Sequence, residues 1–285
     1  SSLVVGLFFV AAIGFVVFLI WELTDVHPVV DLSLFKRRNF WAGTLAISIA
    51  YGLFFGNIVI LPLWLQQFMG YTSTQAGMVM APVGILAIIF SPWVGKNMAR
   101  FDPRTFATFA FMVFALVLWL RSNFSTESPF ESIMIPTIIQ GISMAFFFIP
   151  LMSLIMSGLP PERIPAASGL SNFLRILSGA VGTSISTTVW ENRASFHHAQ
   201  LAEQIQSGRE VAVNTLQGLG SAGMGSDQSL AVVNRLVDQQ AFMLAADDVF
   251  MASAAIFLTL IPLVWLAKKQ NTVGSGAADA AAGAH

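Results

Sequence analysis

Long apolar stretches follow one another along the chain, and short clusters of charged residues separate them. A helix needs about 20 mostly apolar residues to cross the hydrocarbon core of a bilayer. The stretch 39–95 contains no Lys, Arg, Asp or Glu and is too long for one crossing, so a reversal is predicted at its polar patch, 66–75. The same pattern predicts seven membrane-spanning helices in all, at 3–21, 40–65, 76–95, 105–121, 132–157, 165–190 and 249–267.

The composition supports a membrane protein and excludes several other classes. Hydrophobic residues make up 55% of the chain and charged residues only 10%, against roughly 25% charged residues in a typical soluble domain. The formal net charge of -1 offers no basic surface for nucleic acid. The absence of cysteine excludes a disulfide framework, a thiolate zinc site, an iron–sulfur cluster and a cysteine nucleophile. These features predict an all-α membrane protein.

The distribution of Lys and Arg predicts how the helices are oriented, because cytoplasmic loops carry an excess of basic residues. One side of the predicted membrane domain holds Lys36, Arg37, Arg38, Lys96, Arg100, Arg104, Arg163, Lys268 and Lys269. The other side holds only Arg121, Arg193, Arg209 and Arg235. The first side is therefore predicted to be cytoplasmic. The C-terminus is then inside and the first residue outside, which favours a fragment of a larger membrane protein.

This orientation assigns the remaining segments to one side of the membrane or the other. The loop 22–39 and the tail 268–285 are predicted to be cytoplasmic, and the Gly- and Ala-rich part of the tail to be disordered. The long polar segment 191–248 is predicted to be a periplasmic loop before the last helix. Within it, the residues from Ser229 to Asp238 have apolar side chains at helical spacing, which predicts a short amphipathic helix.

No motif in the sequence provides a basis for enzyme chemistry or metal binding. Gly218, Gly220 and Gly223 spell GxGxxG, but no strand pattern precedes them, so we interpret them as a flexible turn. His197 and His198 are adjacent, and adjacent side chains on a helix do not face each other, which argues against a joint metal site. The sequence has no GxSxG motif and no pair of carboxylates within a predicted span. We therefore predict a protein that is not an enzyme and has no metal or other cofactor.

Arg175 is the formal charge that falls well inside a predicted span. A charge at the bilayer centre costs at least about 2.5 to 3.5 kcal/mol on insertion scales, so it should face the bundle interior or a wet cavity. The alternative is that its side chain extends to the cytoplasmic headgroups. Its neighbours at helical spacing form a small, polar face, which favours the interior: Ser168, Ser171, Asn172, Gly179, Gly182 and Ser186.

Two other spans carry candidate substrate contacts. Gln140 shares a helix face with Met144 and Phe147, an arrangement typical of a drug pocket, although an interhelical hydrogen bond remains an equal alternative. On the second span, Gly52 and Gly56 form a GxxxG pattern that favours helix packing. The full set of candidate cavity residues is Arg175, Gln140, Asn172, Tyr51, Phe55, Asn57, Met144 and Phe147.

Several segments resemble a known family of transporters. They are 157–163 (SGLPPER), 167–175 (ASGLSNFLR), 179–184 (GAVGTS), 190–193 (WENR), 197–201 (HHAQL) and the Ala- and Gly-rich tail. In these residues the chain strongly resembles the C-terminal half of the EmrB/QacA branch of the major facilitator superfamily, multidrug exporters with fourteen transmembrane helices. The resemblance implies that 1–21 is an inserted helix and that 40–190 and 249–267 form the C-terminal six-helix bundle.

Residues 95–104 resemble a degenerate second copy of the superfamily's cytoplasmic loop motif, GxxxDRxGRR. Gly95, Arg100 and Arg104 match the motif. Ala99 stands in place of its Asp, and Asp102 and Pro103 replace its Gly and Arg.

The resemblance also implies a function and a set of partners. It implies drug:proton antiport by alternating access, with protons as the coupling ion, hydrophobic or amphipathic drugs as cargo, and antibiotic resistance as the outcome. The expected partners are a missing N-terminal half of the same transporter, an EmrA-like periplasmic adaptor, a TolC-like outer-membrane channel and the lipids of the bacterial inner membrane. Two alternatives stay open: export of an endogenous metabolite or siderophore, and a non-transporting membrane scaffold or sensor.

Overall fold

The computed structural model describes residues 2–24, 31–98, 100–206 and 210–269, and every regular element within them is a helix. Two short 3₁₀ helices lie in the connections, at Leu32–Lys36 and Pro161–Arg163. The α-helices are α1 (Ser2–Thr24), α2 (Arg38–Gln67), α3 (Ser73–Asn97), α4 (Pro103–Arg121), α5 (Phe130–Met156), α6 (Ile164–Gln206), α7 (Glu210–Ser221) and α8 (Ser226–Trp265). The all-α fold predicted from the sequence is therefore confirmed.

The apolar segments form helices close to the predicted bounds, but the polar segment 191–248 is not the predicted loop. α6 continues to Gln206, α7 follows, and α8 begins at Ser226. Hydropathy predicts where the chain leaves the membrane, but it does not predict where a helix ends. A helix continues beyond the membrane as long as its residues favour helix and one of its faces is packed. The segment from Ser229 to Asp238 is helical, as predicted, but belongs to the long α8. The prediction of a disordered tail falls on residues 270–285, which lie outside the described residues.

Five helices of the described chain are long and apolar enough to cross a membrane: α2, α3, α4, α5 and α8. α6 carries the small, polar face that surrounds Arg175, which lowers its hydropathy. The described side chains of α1 are exposed. The crossings of α1 and α6 therefore stay predictions.

Four of the helices surround an aromatic core. α2, α5, α4 and α8 each pack on the next, while α6 packs on α2 and α8, and α3 packs on α5. Phe114 of α4 is at the centre, with its ring centroid 6.0 Å from Phe54, 5.7 Å from Phe147 and 5.0 Å from Phe257. We call the end of the bundle at which α2 and α4 begin the inner end, and the opposite end the outer end.

α2 and α6 approach each other through glycines. A Cβ atom added at Gly52 would lie 2.8 Å from the carbonyl oxygen of Ser178, and one added at Gly182 would overlap the backbone of Gly52. A Cβ atom added at Gly56 would overlap the side chain of Ser186. The GxxxG pattern of α2 thus serves helix packing, as the sequence favours, and it brings the middle of α2 within reach of Arg175 on α6.

Candidate substrate-binding face

Arg175 lies at the junction of α2, α5 and α6, where its guanidinium is held between two aromatic rings. Its Cζ atom is 4.6 Å from the ring centroid of Tyr51 and 4.6 Å from that of Phe148. Nη2 donates a hydrogen bond to Asn172 Oδ1, whereas the buried Nε has no hydrogen-bond partner. Each cation–π contact of this kind contributes about 0.5 to 2 kcal/mol, depending on how far the pair is removed from water. The side chain is half-buried, so part of the cation remains accessible beside its aromatic neighbours.

The aromatic surface continues along α2. Tyr51 and Phe55 are one turn apart, and their ring centroids are 4.5 Å from each other. Gly179 of α6 makes room for the tyrosine ring, because a Cβ atom at this position would lie 3.1 Å from Tyr51 Cδ1. The structure thus brings four of the candidate residues together in one cluster, which we call the Arg175 group. Arg175, Tyr51 and Phe55 are half-buried, and Asn172 is exposed.

Phe148 was not among the predicted residues, because it lies on a different stripe of α5 from Gln140 and Phe147. Gln140 and Phe147 share a face, but Met144 and Phe148 lie about 40° and 80° further around the helix at 100° per residue. Phe147 is fully buried against Phe114, so it belongs to the core and not to the Arg175 group. Met144 is half-buried one turn from Phe148. A spacing of four from Met144 was the signal that would have identified Phe148.

Gln140 and Asn57 also lie inside the bundle. Gln140 Oε1 accepts a hydrogen bond of 2.6 Å from Arg121 Nη2, which is the interhelical alternative left open by the sequence. Asn57 Nδ2 donates to the carbonyl of Leu53 at 2.7 Å and to Ser253 Oγ of α8 at 3.0 Å. Both amides are almost fully buried. The structure therefore places both amides in the bundle interior and not beside Arg175.

Arg121 ends the fourth predicted span and was counted among the charges on the outer side, but its side chain is completely buried. It is the last residue of α4, and side chains on a helix point back toward the N-terminus. The guanidinium therefore extends into the bundle, where Nη2 also donates to Thr137 Oγ1 at 3.1 Å. The polar pair Thr137 and Gln140, about one turn apart on α5, was the signal for a buried partner.

The inner loop between α3 and α4 is fixed by Asp102, which departs from the superfamily motif, and Arg104, which matches it. Asp102 caps α4 and pairs with Arg104 at 2.8 Å. Arg104 also donates to the carbonyl of Ala267 at 3.0 Å and lies over the ring of Trp265, 5.2 Å from its centroid. Burial raises the pKa of the Asp102 carboxyl, but the hydrogen bonds from Arg104 outweigh burial and hold that pKa below its ordinary value. Two motif matches, Gly95 and Arg100, are exposed.

The outer ends of α6 and α8 are joined by polar contacts. His197 Nε2 and Arg193 Nε each lie 2.7 Å from Asp248 Oδ2. His198 instead contacts Asn234 at 3.2 Å, so the two histidines have separate partners and do not converge on one site. No group of three or more potential metal ligands occurs among the described residues.

The GxGxxG pattern lies where α7 ends and the chain turns toward α8. Gly218 and Gly220 are helical, and Gly223 in the turn has a φ of 89°, a value that favours glycine. No strand precedes these residues in the part of the chain that the structure describes. The interpretation as a turn therefore holds for Gly223 but is wrong for Gly218 and Gly220, which belong to α7.

Comparison with known proteins agrees with the helical architecture. The chain is 44% identical over 281 residues to the multidrug export protein EmrB of Escherichia coli, a match that covers 98% of this chain and 55% of that protein. It is 39% identical over 259 residues to the fatty acid resistance protein FarB of Neisseria gonorrhoeae, covering 91% of this chain and 51% of that protein. It is 38% identical over 269 residues to EmrB of Haemophilus influenzae, covering 94% of this chain and 53% of that protein.

The chain thus spans about half the length of the curated relatives that it matches. Residues 2–183, which include α1 to α5 and the Arg175 group, match the Major Facilitator Superfamily as a whole. This match extends over most of the chain and includes the helices that form the aromatic core. The chain belongs to the Major Facilitator Superfamily.

Proposed function

We propose that this chain is the C-terminal half of a proton-coupled multidrug exporter that works by alternating access. The observation that carries the proposal is the Arg175 group, a half-buried cation between two aromatic rings at the junction of three helices. Transporters of this superfamily bind substrate between two helical bundles near the middle of the membrane. The similarity to two multidrug export proteins over nearly the whole chain supports the same assignment.

The Arg175 group has the chemistry that a binding wall for amphipathic drugs needs. The rings of Tyr51, Phe55 and Phe148 present flat apolar surface on which aromatic ligands stack. The guanidinium and the Asn172 amide, which hydrogen-bond to each other, supply the polar contacts that orient a ligand. In alternating access, this half and its partner half rock about the bound drug, and proton entry drives the outward step. Proton coupling requires carboxylates that we assign to the N-terminal half.

The remaining partners follow from this assignment. We place the protein in the bacterial inner membrane with its C-terminus in the cytoplasm, so that the outer ends of α6 and α8 and the whole of α7 lie in the periplasm. This helical extension is the part of the chain available to an EmrA-like adaptor, which would connect the exporter to a TolC-like outer-membrane channel. Its ion pairs between α6 and α8 give the adaptor a structured surface.

Drug-dependent proton movement is the direct test of the proposed function. In inverted vesicles that contain the full-length transporter, we expect an exported drug to release protons from an acidified lumen, measured with a pH-sensitive dye. The signal should increase with drug concentration and saturate, because the carrier has a finite number of sites. A scaffold or sensor would give no drug-dependent proton release. Metabolite export would give release with metabolite alone, which would contradict the assignment of drugs as cargo.

The orientation is tested with single cysteines, since the chain has no native cysteine. We expect a cysteine in place of Ser226, at the start of α8, to react with an impermeant maleimide in cells whose outer membrane is permeabilised. A cysteine in place of Ser275 should react only after the inner membrane is opened. Detergent-solubilised protein, in which both positions should react, is the control for reactivity. The reverse labelling pattern would invert the topology.

A further inference from the structure

α8 carries two adjacent carboxyl groups whose surroundings differ. Arg193 Nε donates a hydrogen bond to Asp248 Oδ2 at 2.7 Å, and His197 Nε2 lies 2.7 Å from the same oxygen. Burial raises the pKa of Asp248, but the hydrogen bonds from His197 and Arg193 outweigh burial and hold that pKa below its ordinary value. Asp247 has no such partners: its Oδ1 is buried without a hydrogen bond, and none of the ion pairs among the described residues includes it.

Asp247 lies on a different face of α8 from its neighbour. Adjacent residues on a helix differ in direction by about 100°, so Asp247 does not share the face that contacts the basic groups of α6. Gln240, two turns before Asp247, lies on the same face, and its Nε2 donates to Thr126 Oγ1 in the turn after α4 at 2.8 Å. Asp247 is therefore on the side of α8 that faces the outer end of α4. Met243 and Phe250, one turn away in either direction along α8, are buried apolar neighbours.

The basic groups around this part of α8 have other partners. The charged and titratable residues on the elements packed against it are Arg121, Glu127, Glu191, Arg193, His197 and His198. Arg121 donates to Thr137 and Gln140 of α5, and the three basic groups of α6 contact acceptors other than Asp247. The two glutamates are exposed, and α2 has no charged residue after its first. The charge of an ionised Asp247 would thus be uncompensated within the described residues.

Asp247 lies at the outer boundary of the membrane. α8 has 40 residues and is about 60 Å long, roughly twice the thickness of the hydrocarbon core. The predicted span is 249–267, so Asp247 precedes the span and belongs to the part of α8 outside the membrane. Its side chain is half-buried, which leaves a path for protons from the outer solution. Burial, together with the negative charge of Asp248, raises the pKa of the Asp247 carboxyl to about 8.

These surroundings favour the protonated form of Asp247. A carboxyl group with a buried, unpartnered oxygen and apolar neighbours is more stable neutral than charged. We propose that Asp247 is a proton-binding site that takes up protons from the outer solution for the antiport step, in addition to the carboxylates assigned to the N-terminal half. Its role in antiport rests on the proposed function, whereas proton binding itself does not. The adjacent Asp248 keeps its charge and connects α8 to α6.

Carbodiimide labelling tests proton binding without any drug. Dicyclohexylcarbodiimide reacts with protonated carboxyl groups in apolar surroundings and not with carboxylates. In the full-length transporter in lipid nanodiscs, Asp247 should be labelled at about pH 7 and the label should be lost at about pH 10, because burial favours the protonated form only up to its raised pKa. Mass spectrometry of the α8 peptide locates the label, which should not appear on Asp248. Absence of the label from Asp247 at the lower pH, or a label that does not change with pH, would overturn the proposal.

Two variants of α8 provide the comparison. Asp247→Asn resembles the protonated form, so it should fold like the parent protein in size-exclusion chromatography and lose the label. Asp227→Asn makes the same change at an exposed carboxylate near the start of α8 and should retain the label on Asp247. A parental level of labelling in Asp247→Asn would show that another group reacts and would contradict the assignment.

Proton counting tests the role in antiport. In the inverted vesicles described above, Asp247→Asn should release fewer protons per drug molecule taken up than the parent protein, because one proton site is lost. Its Kd for the drug should stay within about twofold of the parental value, because Arg193 at the level of Asp247 is about five turns of α6 away from Arg175. Asp227→Asn should match the parent protein in both measurements. A parental ratio of protons to drug in Asp247→Asn would overturn the role in antiport.

The two experiments separate this inference from the proposed function. Drug-dependent proton release by the parent protein, without a label on Asp247, would contradict the proton site and leave the proposed function intact. A label on Asp247 without any drug-dependent proton release would contradict the proposed function, and with it the role in antiport, but would support proton binding.

Discussion

Replacement of Arg175 by leucine is expected to lower drug resistance on the order of tenfold while the amount of inserted protein stays at the parental level. The guanidinium holds Tyr51 and Phe148 at 4.6 Å and orients Asn172, so its loss removes both the polar contact and the arrangement of the aromatic surface. Loss of a desolvated cation–π contact of up to about 2 kcal/mol corresponds to a change of roughly tenfold or more in binding. Insertion should not suffer, because removal of a charge from a span lowers its transfer cost.

Arg175→Lys provides the finer comparison. An ammonium group keeps the charge but cannot lie flat between two rings and bond to Asn172 at the same time, so resistance should fall to an intermediate level. Arg38→Leu is the matched control, because it makes the same change at an exposed site at the inner end of α2, away from Arg175. Minimum inhibitory concentrations and quantitative blots of membranes measure the two effects separately. Parental resistance in Arg175→Leu would exclude Arg175 from the binding face.

The second large effect is expected at Gly182, where α6 touches α2. An added methyl group would overlap the backbone of Gly52, and neither backbone can yield as a side chain would. Gly182→Ala should therefore lower the free energy of unfolding by about 1 to 3 kcal/mol, as overpacking does elsewhere. Gly182→Leu should separate α2 from α6 and prevent recovery of folded protein. Unfolding followed by tryptophan fluorescence in nanodiscs measures the first effect, and size-exclusion chromatography the second.

Gly169→Ala is the matched control on the same helix. No atom lies within 4 Å of a Cβ added at Gly169, so this substitution removes only backbone freedom and should leave stability unchanged or raise it by up to about 1 kcal/mol. If Gly182→Ala and Gly169→Ala behave alike, the close contact between α2 and α6 does not limit stability. The comparison also shows whether the Arg175 group depends on that contact, since Tyr51 lies one residue before Gly52.

The helices of the apolar segments were predictable because the length of each apolar stretch determines them. An apolar stretch of membrane length has to satisfy its own backbone hydrogen bonds, and a helix does this within the segment. The polar parts of α6 and α8 have no such constraint, so charge and hydropathy indicated a loop. Their pairing depends on contacts between distant positions, such as Trp190 Nε1 with the carbonyl of Phe242 at 2.9 Å. No local pattern specifies a contact of this kind.

The candidate site was partly predictable for a similar reason. Arg175 and Asn172 are one turn apart on a small, polar face, and Tyr51 and Phe55 are one turn apart on α2, so helical spacing alone groups each pair. Helical spacing does not tell which stripe of a wholly apolar helix faces a neighbour. On α5 this ambiguity led to Phe147 in place of Phe148. The same ambiguity explains why Arg121 was not predicted to be buried, since its guanidinium hydrogen-bonds to Thr137 and Gln140 of α5.

The length of α6 makes it a lever. α6 runs without interruption from Ile164 to Gln206, so the same rigid rod carries Arg175 and the outer contact between Arg193 and Asp248. About 30 residues separate Arg175 from the end of the rod, or roughly 45 Å at 1.5 Å per residue. A tilt of about 10° pivoting near Arg175 moves that end by roughly 8 Å. A tilt of α6 around a ligand at Arg175 would therefore produce a larger displacement of the surface formed by α6, α7 and α8. The rigid helix itself would couple the two places.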